Sequence, residues 1–169
     1  MAVLTKTEII KNIESGNIII DPLDYSNIGP ASVDLHIDNK FRSFKKIHQI
    51  IEITEEIHYE NFTEYREVSD YFLILPGEMV LGITKEKITL APHLCGRLDG
   101  RSRFARMGLT MHITAGFVQP GTSNRQVLEI YNNSPIPLML KPGTKLIQFI
   151  FETCVGEARY EGRFREQVL

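Results

Sequence analysis

Residues 126–131, Gln-Val-Leu-Glu-Ile-Tyr, have the composition of a β-strand, because aliphatic, β-branched and aromatic side chains follow one another without a turn residue. Side chains of a strand alternate between two faces, so Glu129 shares one face with Val127 and Tyr131, and the two residues between them face the other way. Glu129 is thus a carboxylate among apolar neighbours, and partial desolvation suits such a group to general acid/base catalysis. The alternative is a solvent-facing glutamate on a half-exposed strand.

Much of the remaining chain repeats this pattern in short runs separated by Gly, Pro and Asn. These runs predict the strands Ile18–Ile20, Ser32–Ile37, Lys40–Phe44, Tyr71–Leu75, Met79–Thr84, Lys87–Leu90, Leu109–Ala115, Gln126–Tyr131, Ile136–Leu140 and Lys145–Phe151. Many short strands with frequent turns are typical of a sandwich, a jelly roll or a barrel.

One long helix is predicted, close to the N-terminus. Residues 5–8, Thr-Lys-Thr-Glu, form a capping-box pattern before an apolar run, and Gly16 ends that run. With 169 residues, 43% of them hydrophobic, the chain is long enough for one well-buried core. We therefore expect a mainly β fold with one N-terminal helix, in a single domain that spans residues 1–169.

Two segments depart from the strand pattern. Residues 50–70 carry many glutamates and few turn residues, which favours a solvated hairpin or loop. Residues from approximately 152 to 169 mix arginines with aromatic side chains beyond the last predicted strand. A tail of this composition is either frayed or a lid.

A third segment, GRLDGRSRFARMG at residues 96–108, contains four arginines and three glycines. Arginine offers a planar fork of donors that matches phosphate oxygens, and glycine lets the backbone approach an anion closely. Ser102 adds a short hydroxyl donor. The segment therefore predicts a loop that holds a polyphosphate, with a solvated surface loop as the alternative.

Composition narrows the function classes. The net charge of −2 argues against a general nucleic-acid binder and makes the arginine cluster a local feature. Cys95 and Cys154 form no CxxC motif, so we expect reduced, packed thiols and no structural zinc. His58 and Glu60 have the HxE spacing of the zinc-dependent deaminases, but the PCxxC half is missing. With no signal-peptide core and no membrane-length apolar run, we expect a soluble, cytoplasmic protein without a membrane partner.

Several of these segments together resemble the dCTP deaminase branch of the dUTPase-like superfamily. The similar stretches are DGRS (99–102), ARMGL (105–109), HITA (112–115), PG (120–121), LEIYN (128–132), ASVDL (31–35), NKFR (39–42) and the tail positions Tyr160, Arg163, Phe164 and Gln167. The resemblance implies a dUTPase-like jelly-roll or β-clip subunit, which forms a homotrimer with active sites between neighbouring subunits. The arm at about residues 152–169 would close over the site.

The resemblance also implies an activity: zinc-independent hydrolytic deamination of dCTP to dUTP and ammonia, with Mg²⁺ held through the triphosphate and water. The catalytic residues that it implies are Glu129, Ser102, Arg106 and Ala115. The substrate-binding residues that it implies are Arg101, Gln119, Tyr160, Arg163 and Gln167. His112 and Thr114 stand where the family couples the site to inhibition by dTTP.

One position departs from the family pattern. The family usually has an aspartate before Pro-Gly, which in dUTPases activates the water that attacks the phosphate chain, and this sequence has Gln119 there. An amide can accept a hydrogen bond but is not a useful base near neutral pH. We therefore expect deamination to survive this change better than diphosphate release.

Four alternatives remain beside a deaminase that stops at dUTP. A bifunctional dCTP deaminase/dUTPase, or a dUTPase, would release dUMP and diphosphate. A nucleotide-binding protein without catalysis would explain Gln119 by drift. An RNA-binding barrel would use the arginine segment, but aromatic side chains for base stacking are scarce beside the arginines.

Overall fold

A computed structural model describes residues 2–169, and Met1, the first residue of the predicted domain, lies outside the described residues. The helices are α1 (Lys6–Glu14) and α2 (Ser102–Ala105). The strands are β1 (Ile18–Asp21), β2 (Val33–Phe44), β3 (Thr63–Glu67), β4 (Phe72–Ile74), β5 (Met79–Leu90), β6 (Leu94–Gly100), β7 (Leu109–Met111), β8 (Phe117–Val118), β9 (Ser123–Asn132), β10 (Leu138–Leu140) and β11 (Lys145–Thr153). The mainly β prediction is confirmed.

Nine of the strands form one sheet. Its main path runs β7-β9-β5-β2-β11-β6-β8, with β1 added to β5 and β3 added to β2. The pairings are antiparallel, and β4 and β10 form a separate antiparallel pair. The long strands β2, β5, β9 and β11 carry most of the sheet, which curls around a single core.

The core is formed by the inward faces of these long strands. Leu128 and Ile130 of β9 are fully buried, as are Phe149 and Phe151 of β11. Gly96 of β6 lies directly against this layer, because a Cβ atom there would come within 2.1 Å of the ring of Phe149. The glycine is thus required by packing in the sheet interior.

The N-terminal helix begins after Thr5 and ends at Glu14, as predicted. The predicted capping box does not form, since the Thr5 side chain makes no capping hydrogen bond. Gly16 ends the helix with φ of 76°, a left-handed conformation that glycine adopts without strain. Ile9 is the fully buried residue of the helix.

The strand predictions were right in place but wrong in some boundaries. The two runs predicted between residues 32 and 44 are one strand, β2, and the two between 79 and 90 are one strand, β5. The strand predicted at Leu109–Ala115 ends at Met111, since a hydrogen-bonded loop follows. The acidic segment is not all loop, because Thr63–Glu67 pairs with β2 as strand β3.

The arginine segment is also not one loop. Residues 96–100 belong to β6, where backbone pairing with β11 and the buried Leu98 override the glycines. Residues 102–105 form the short helix α2. Sequence reasoning missed β6 because glycine and charged residues weigh against a strand, whereas tertiary pairing decided it.

Asn132, at the end of β9, is a fully buried amide with all four of its hydrogen bonds made inside the protein. Its Nδ2 donates to the carbonyls of Ile74 at 3.0 Å and Ile136 at 2.8 Å. Its Oδ1 accepts from the amide of Ser134 at 3.0 Å and from the hydroxyl of Ser134 at 2.7 Å. The side chain therefore fixes β9 to the β4–β10 pair.

An ion pair between Asp38 of β2 and Arg125 of β9 crosses the sheet where β5 carries a bulge. Arg125 also donates from Nε to the carbonyl of Thr84 at 2.5 Å. Burial alone would raise the pKa of Asp38, but hydrogen bonds from Arg125 and the Asn39 backbone, with the charges of Arg125 and Lys40, outweigh burial and lower the pKa.

Candidate active site

A cavity of about 490 Å³ opens beside β9. It is lined by predicted site residues, namely His112, Ala115, Gln119, Glu129, Tyr160 and Gln167. No lysine or arginine of the described residues lines it, and Glu129 is its one carboxylate. The described lining therefore offers one carboxylate and no cation for a polyphosphate.

The edge of β9 explains why the cavity forms there. One edge of the strand pairs with β5 from Ser123 to Tyr131, whereas the other edge pairs with β7 only from Ile130 to Asn132. Within residues 2–169, the edge from Ser123 to Leu128 has no strand partner. An unpaired edge presents N–H and C=O groups, which can bind a planar polar ligand.

Glu129 is oriented by the loop that follows β7. Its Oε2 accepts from the backbone amides of Ile113 at 3.1 Å and Thr114 at 3.2 Å, and from the hydroxyl of Thr114 at 3.3 Å. Its Oε1 has a longer contact, 3.4 Å, with the same hydroxyl. Oε1 is therefore the freer oxygen and the better placed proton acceptor.

His112 shapes this loop. It adopts φ of 54°, which is uncommon for a residue with a Cβ, and its amide donates to the Glu129 carbonyl at 2.7 Å. Its Nε2 lies 2.8 Å from the carbonyl of Ala115. A carbonyl can only accept, so Nε2 carries the proton in this contact, and the buried Nδ1 has no partner among the described residues.

The tail is held against the cavity by hydrogen bonds to the rest of the chain. Tyr160 donates its amide to the carbonyl of Pro120 at 2.9 Å, and Asn124 donates from Nδ2 to the carbonyl of Phe164 at 2.8 Å. Gly121, with φ of 68°, lets the tail approach, since a Cβ there would lie 3.1 Å from Cα of Arg159. Tyr160, Phe164 and Gln167 thus become part of the cavity wall.

Arg163, predicted to bind phosphate, does not line the cavity. Its guanidinium donates to the carbonyls of Glu55 at 3.1 Å and Ile57 at 3.2 Å, and it lies 2.8 Å from Nδ1 of His58. It therefore joins the tail to the acidic segment within the same chain. Tyr59 adds a second link, because its hydroxyl donates to the carbonyl of Val168 at 3.2 Å.

Three predicted site residues at or beside α2, the catalytic Ser102 and Arg106 and the substrate-binding Arg101, do not line the cavity of their own chain. Ser102 begins α2, and Arg106 caps its C-terminal end, where both are exposed. Arg101 is half-buried and paired, with Nη2 3.0 Å from the Asp34 carboxylate and Nη1 donating to the Lys145 carbonyl at 2.7 Å. One group of predicted site residues therefore lines the cavity, and a second group, Arg101, Ser102 and Arg106, lies at α2 outside it.

Sequence reasoning missed the polar side chains that form the cavity floor. Asn124 and Gln126 are buried, although amides are usually exposed, and both line the cavity together with Thr122. The signal was present, since these polar residues hold the positions that continue the core-facing alternation of Leu128 and Ile130. Buried polar residues in such a register indicate a ligand-facing surface.

Two kinds of feature are absent from the described residues. Among residues 2–169, no group of three or more His, Cys, Asp and Glu side chains is arranged to hold a metal ion. None of the helices in the described part of the chain is both long and apolar enough to cross a membrane.

Comparison with known proteins identifies the family. Residues 3–154 match the sequence model of the family described as "dCTP deaminase-like". The protein named "dCTP deaminase, dUMP-forming" from Methanothermobacter thermautotrophicus is 41% identical over 162 residues, which cover 94% of this chain and 82% of that protein. The protein of the same name from Corynebacterium efficiens is 42% identical over 147 residues, covering 86% of this chain and 76% of that protein.

The fold has a solved counterpart. A crystal structure of 2′-deoxycytidine 5′-triphosphate deaminase from Agrobacterium tumefaciens superposes with a TM-score of 0.72 at 16% identity, over 89% of this chain. This chain spans 48% of that chain, about half its length. The likeness shows that this chain has the fold of that deaminase, and the family model with the two relatives shows that the chain belongs to the dCTP deaminase-like family.

Proposed function

We propose that this protein is a dCTP deaminase whose final product is dUMP. The relatives at 41% and 42% identity are both named "dCTP deaminase, dUMP-forming". That name disagrees with the expectation from Gln119 that dUTP would be the end product, so we set that expectation aside. The observation that carries the proposal is the Glu129 carboxylate, which lines the cavity and is held by a loop mainly through Oε2, while Oε1 has only a 3.4 Å contact with the Thr114 hydroxyl.

Glu129 would act as the general base and acid of deamination. Its Oε1 accepts a proton from a water, the resulting hydroxide attacks C4 of cytosine, and Glu129 passes the proton to the ring nitrogen N3. A second transfer takes the proton of the new C4 hydroxyl to the amino group, which leaves as ammonia and gives dUTP. Ala115 and Ser102 would position the water, and Arg106 would orient the charged groups.

The active site would be completed by a neighbouring subunit. Among residues 2–169 no cation lines the cavity, whereas Ser102 of α2 and Arg106 just after it are exposed on the same chain. Both would therefore come from a second copy, together with Arg101 for the phosphates, as in the homotrimer that the family resemblance implies. Arg101 would hold phosphate together with Arg163 and Gln167, for which Arg163 would leave its contacts with Glu55 and Ile57, and Tyr160 would pack near the nucleoside.

Magnesium would enter with the nucleotide. The cavity offers one carboxylate, Glu129, which already accepts hydrogen bonds from the loop. Mg²⁺ keeps several waters and binds through phosphate oxygens with few protein ligands, so these residues fit a nucleotide-borne ion. When bound, that ion would neutralise charge on the triphosphate.

His112 and Thr114 would couple the site to inhibition by dTTP. Their hydrogen bonds to the Glu129 carbonyl and carboxylate support this role.

The second step, release of diphosphate from dUTP, would not use Gln119 as its base. Gln119 lines the cavity and can accept a hydrogen bond from the sugar hydroxyl. Glu129 is the one carboxylate of the lining among the described residues and serves the base, so a base for this second water would come from the neighbouring subunit that completes the site.

Replacement of the base tests this proposal. Glu129→Gln should lower the rate of ammonia release from dCTP by about 10²- to 10⁴-fold, because a positioned general base contributes that much. Binding of dCTP should persist, since the substitution removes charge but little volume. Glu14→Gln, on the exposed face of α1, is the matched control and should retain full activity. Turnover of Glu129→Gln at the control rate would refute the assignment.

A further inference from the structure

Gln126 is the cavity residue whose chemistry the deamination mechanism leaves unused. Its side chain is 6% exposed, and it lines the cavity together with Glu129. Its backbone is fixed, because its amide donates to the hydroxyl of Thr84 at 2.9 Å. A buried amide on a pinned strand presents a defined hydrogen-bonding group to whatever fills the cavity.

Two successive hydrogen bonds, from Asn124 to Phe164 and from Gln126 to Asn124, determine which polar atom of Gln126 is left without a partner. The carbonyl of Phe164 can only accept, so the nitrogen of Asn124, 2.8 Å away, must be the donor. Oδ1 of Asn124 then faces Gln126 and accepts from its Nε2 at 2.6 Å. Within residues 2–169 no donor contacts Oε1 of Gln126, so the free polar atom of this side chain is an acceptor.

We propose that Gln126 is a specificity-determining residue, whose Oε1 accepts a hydrogen bond from the 4-amino group of the cytosine base. This inference rests on the proposed function and concerns how the same cavity selects its base. Cytosine carries a donor at position 4, whereas uracil and thymine carry a carbonyl oxygen there. An acceptor facing that oxygen leaves both atoms unpaired, and a site of this kind discriminates strongly against the wrong partner.

Asn124 is the positioning residue of this arrangement. Without it, the Gln126 amide can rotate by 180° and present Nε2, a donor that suits uracil. The Phe164 carbonyl belongs to the tail, so the orientation of the amide is set only when the tail lies over the cavity. Selection for cytosine would therefore be sharpest in the closed state.

The test measures binding of dCTP and dUTP by titration calorimetry in the Glu129→Gln variant with Mg²⁺, so that turnover does not consume the ligands. Adding Gln126→Leu should lower the preference for dCTP over dUTP by roughly 10-fold, through weaker dCTP binding and dUTP binding that is equal or tighter. Adding Asn124→Ala instead should also lower the preference, although Gln126 is still present. Adding Glu14→Gln is the matched control, with no expected change.

A purely structural role would weaken both nucleotides by the same factor, because a disturbed cavity or tail does not distinguish an amino group from a carbonyl. Equal weakening, or an unchanged preference in both variants, overturns the inference. Should Gln126→Leu not fold, the Asn124→Ala result decides alone. If the Glu129→Gln parent binds neither nucleotide, the proposed function fails and this inference fails with it. If the parent binds dCTP but the substitutions leave its preference for dCTP unchanged, only the inference about Gln126 fails.

Discussion

Replacement of Asn132 by Asp removes two buried hydrogen bonds without changing the shape of the side chain. The amide nitrogen donates to the carbonyls of Ile74 and Ile136, and a carboxylate in its place would face two acceptors with no exposure to water. Two lost bonds at about 1 kcal/mol each, with the cost of buried acceptors left unpaired, give a loss of at least about 3 kcal/mol. For a chain of this size, that lowers the melting temperature by about 6–12 °C.

The assay is thermal unfolding followed by circular dichroism, with Asn133→Asp as the control, because Asn133 is the exposed neighbour. The control should melt within about 2 °C of the wild-type protein, since exposed substitutions usually change stability little. Burial raises the pKa of the introduced carboxyl, so the gap between Asn132→Asp and wild type should narrow as the pH falls toward about 4. A difference of less than 2 °C between the two variants near neutral pH would refute the reasoning.

Three further outcomes follow from local geometry. Gly121→Ala should weaken nucleotide binding by calorimetry, because it strains a left-handed backbone and displaces the tail; unchanged affinity would show that tail seating does not need this glycine. The ion pair with Arg125 helps to lower the pKa of Asp38, so the ionised carboxylate stabilises the fold above about pH 4. This stabilisation is lost as the pH falls through the lowered pKa, so the difference in melting temperature between wild type and Asp38→Asn should shrink in acid. A constant difference would count against the pair. Burial first, and the nearby Cys154 thiol next, raise the pKa of Cys95 to about 11, so at about pH 8 a thiol reagent should label Cys154 alone, and equal labelling of both would contradict this.

The strands were predictable because their side chains carry a strong local signal. Glu129 lies on the opposite face of β9 from Leu128 and Ile130, as the period of two requires. The merging of predicted runs into β2 and β5 was not visible, because charged residues and bulges interrupt the pattern where long strands bend. In these places, pairing with neighbouring strands outweighed local propensity.

The site was predictable in its residue types and less so in their arrangement. Glu129, Gln119 and Tyr160 line one cavity, whereas Arg106 lies on α2 and Arg163 binds the acidic segment. Spacing along a chain cannot show this separation, since it depends on the route of the strands between the two groups. The buried amides of the cavity floor were missed because a lone polar residue in a strand usually faces solvent.

The most direct test of the account is to incubate the wild-type protein with dCTP and Mg²⁺ and to separate the nucleotides by chromatography over time. We expect ammonia, dUMP and diphosphate in equal amounts, with little free dUTP at any time. Accumulation of dUTP would contradict the dUMP-forming assignment and would mean that Gln119 does limit the second step. Recovery of unchanged dCTP would contradict the central claim that Glu129 and its cavity form a deaminase site.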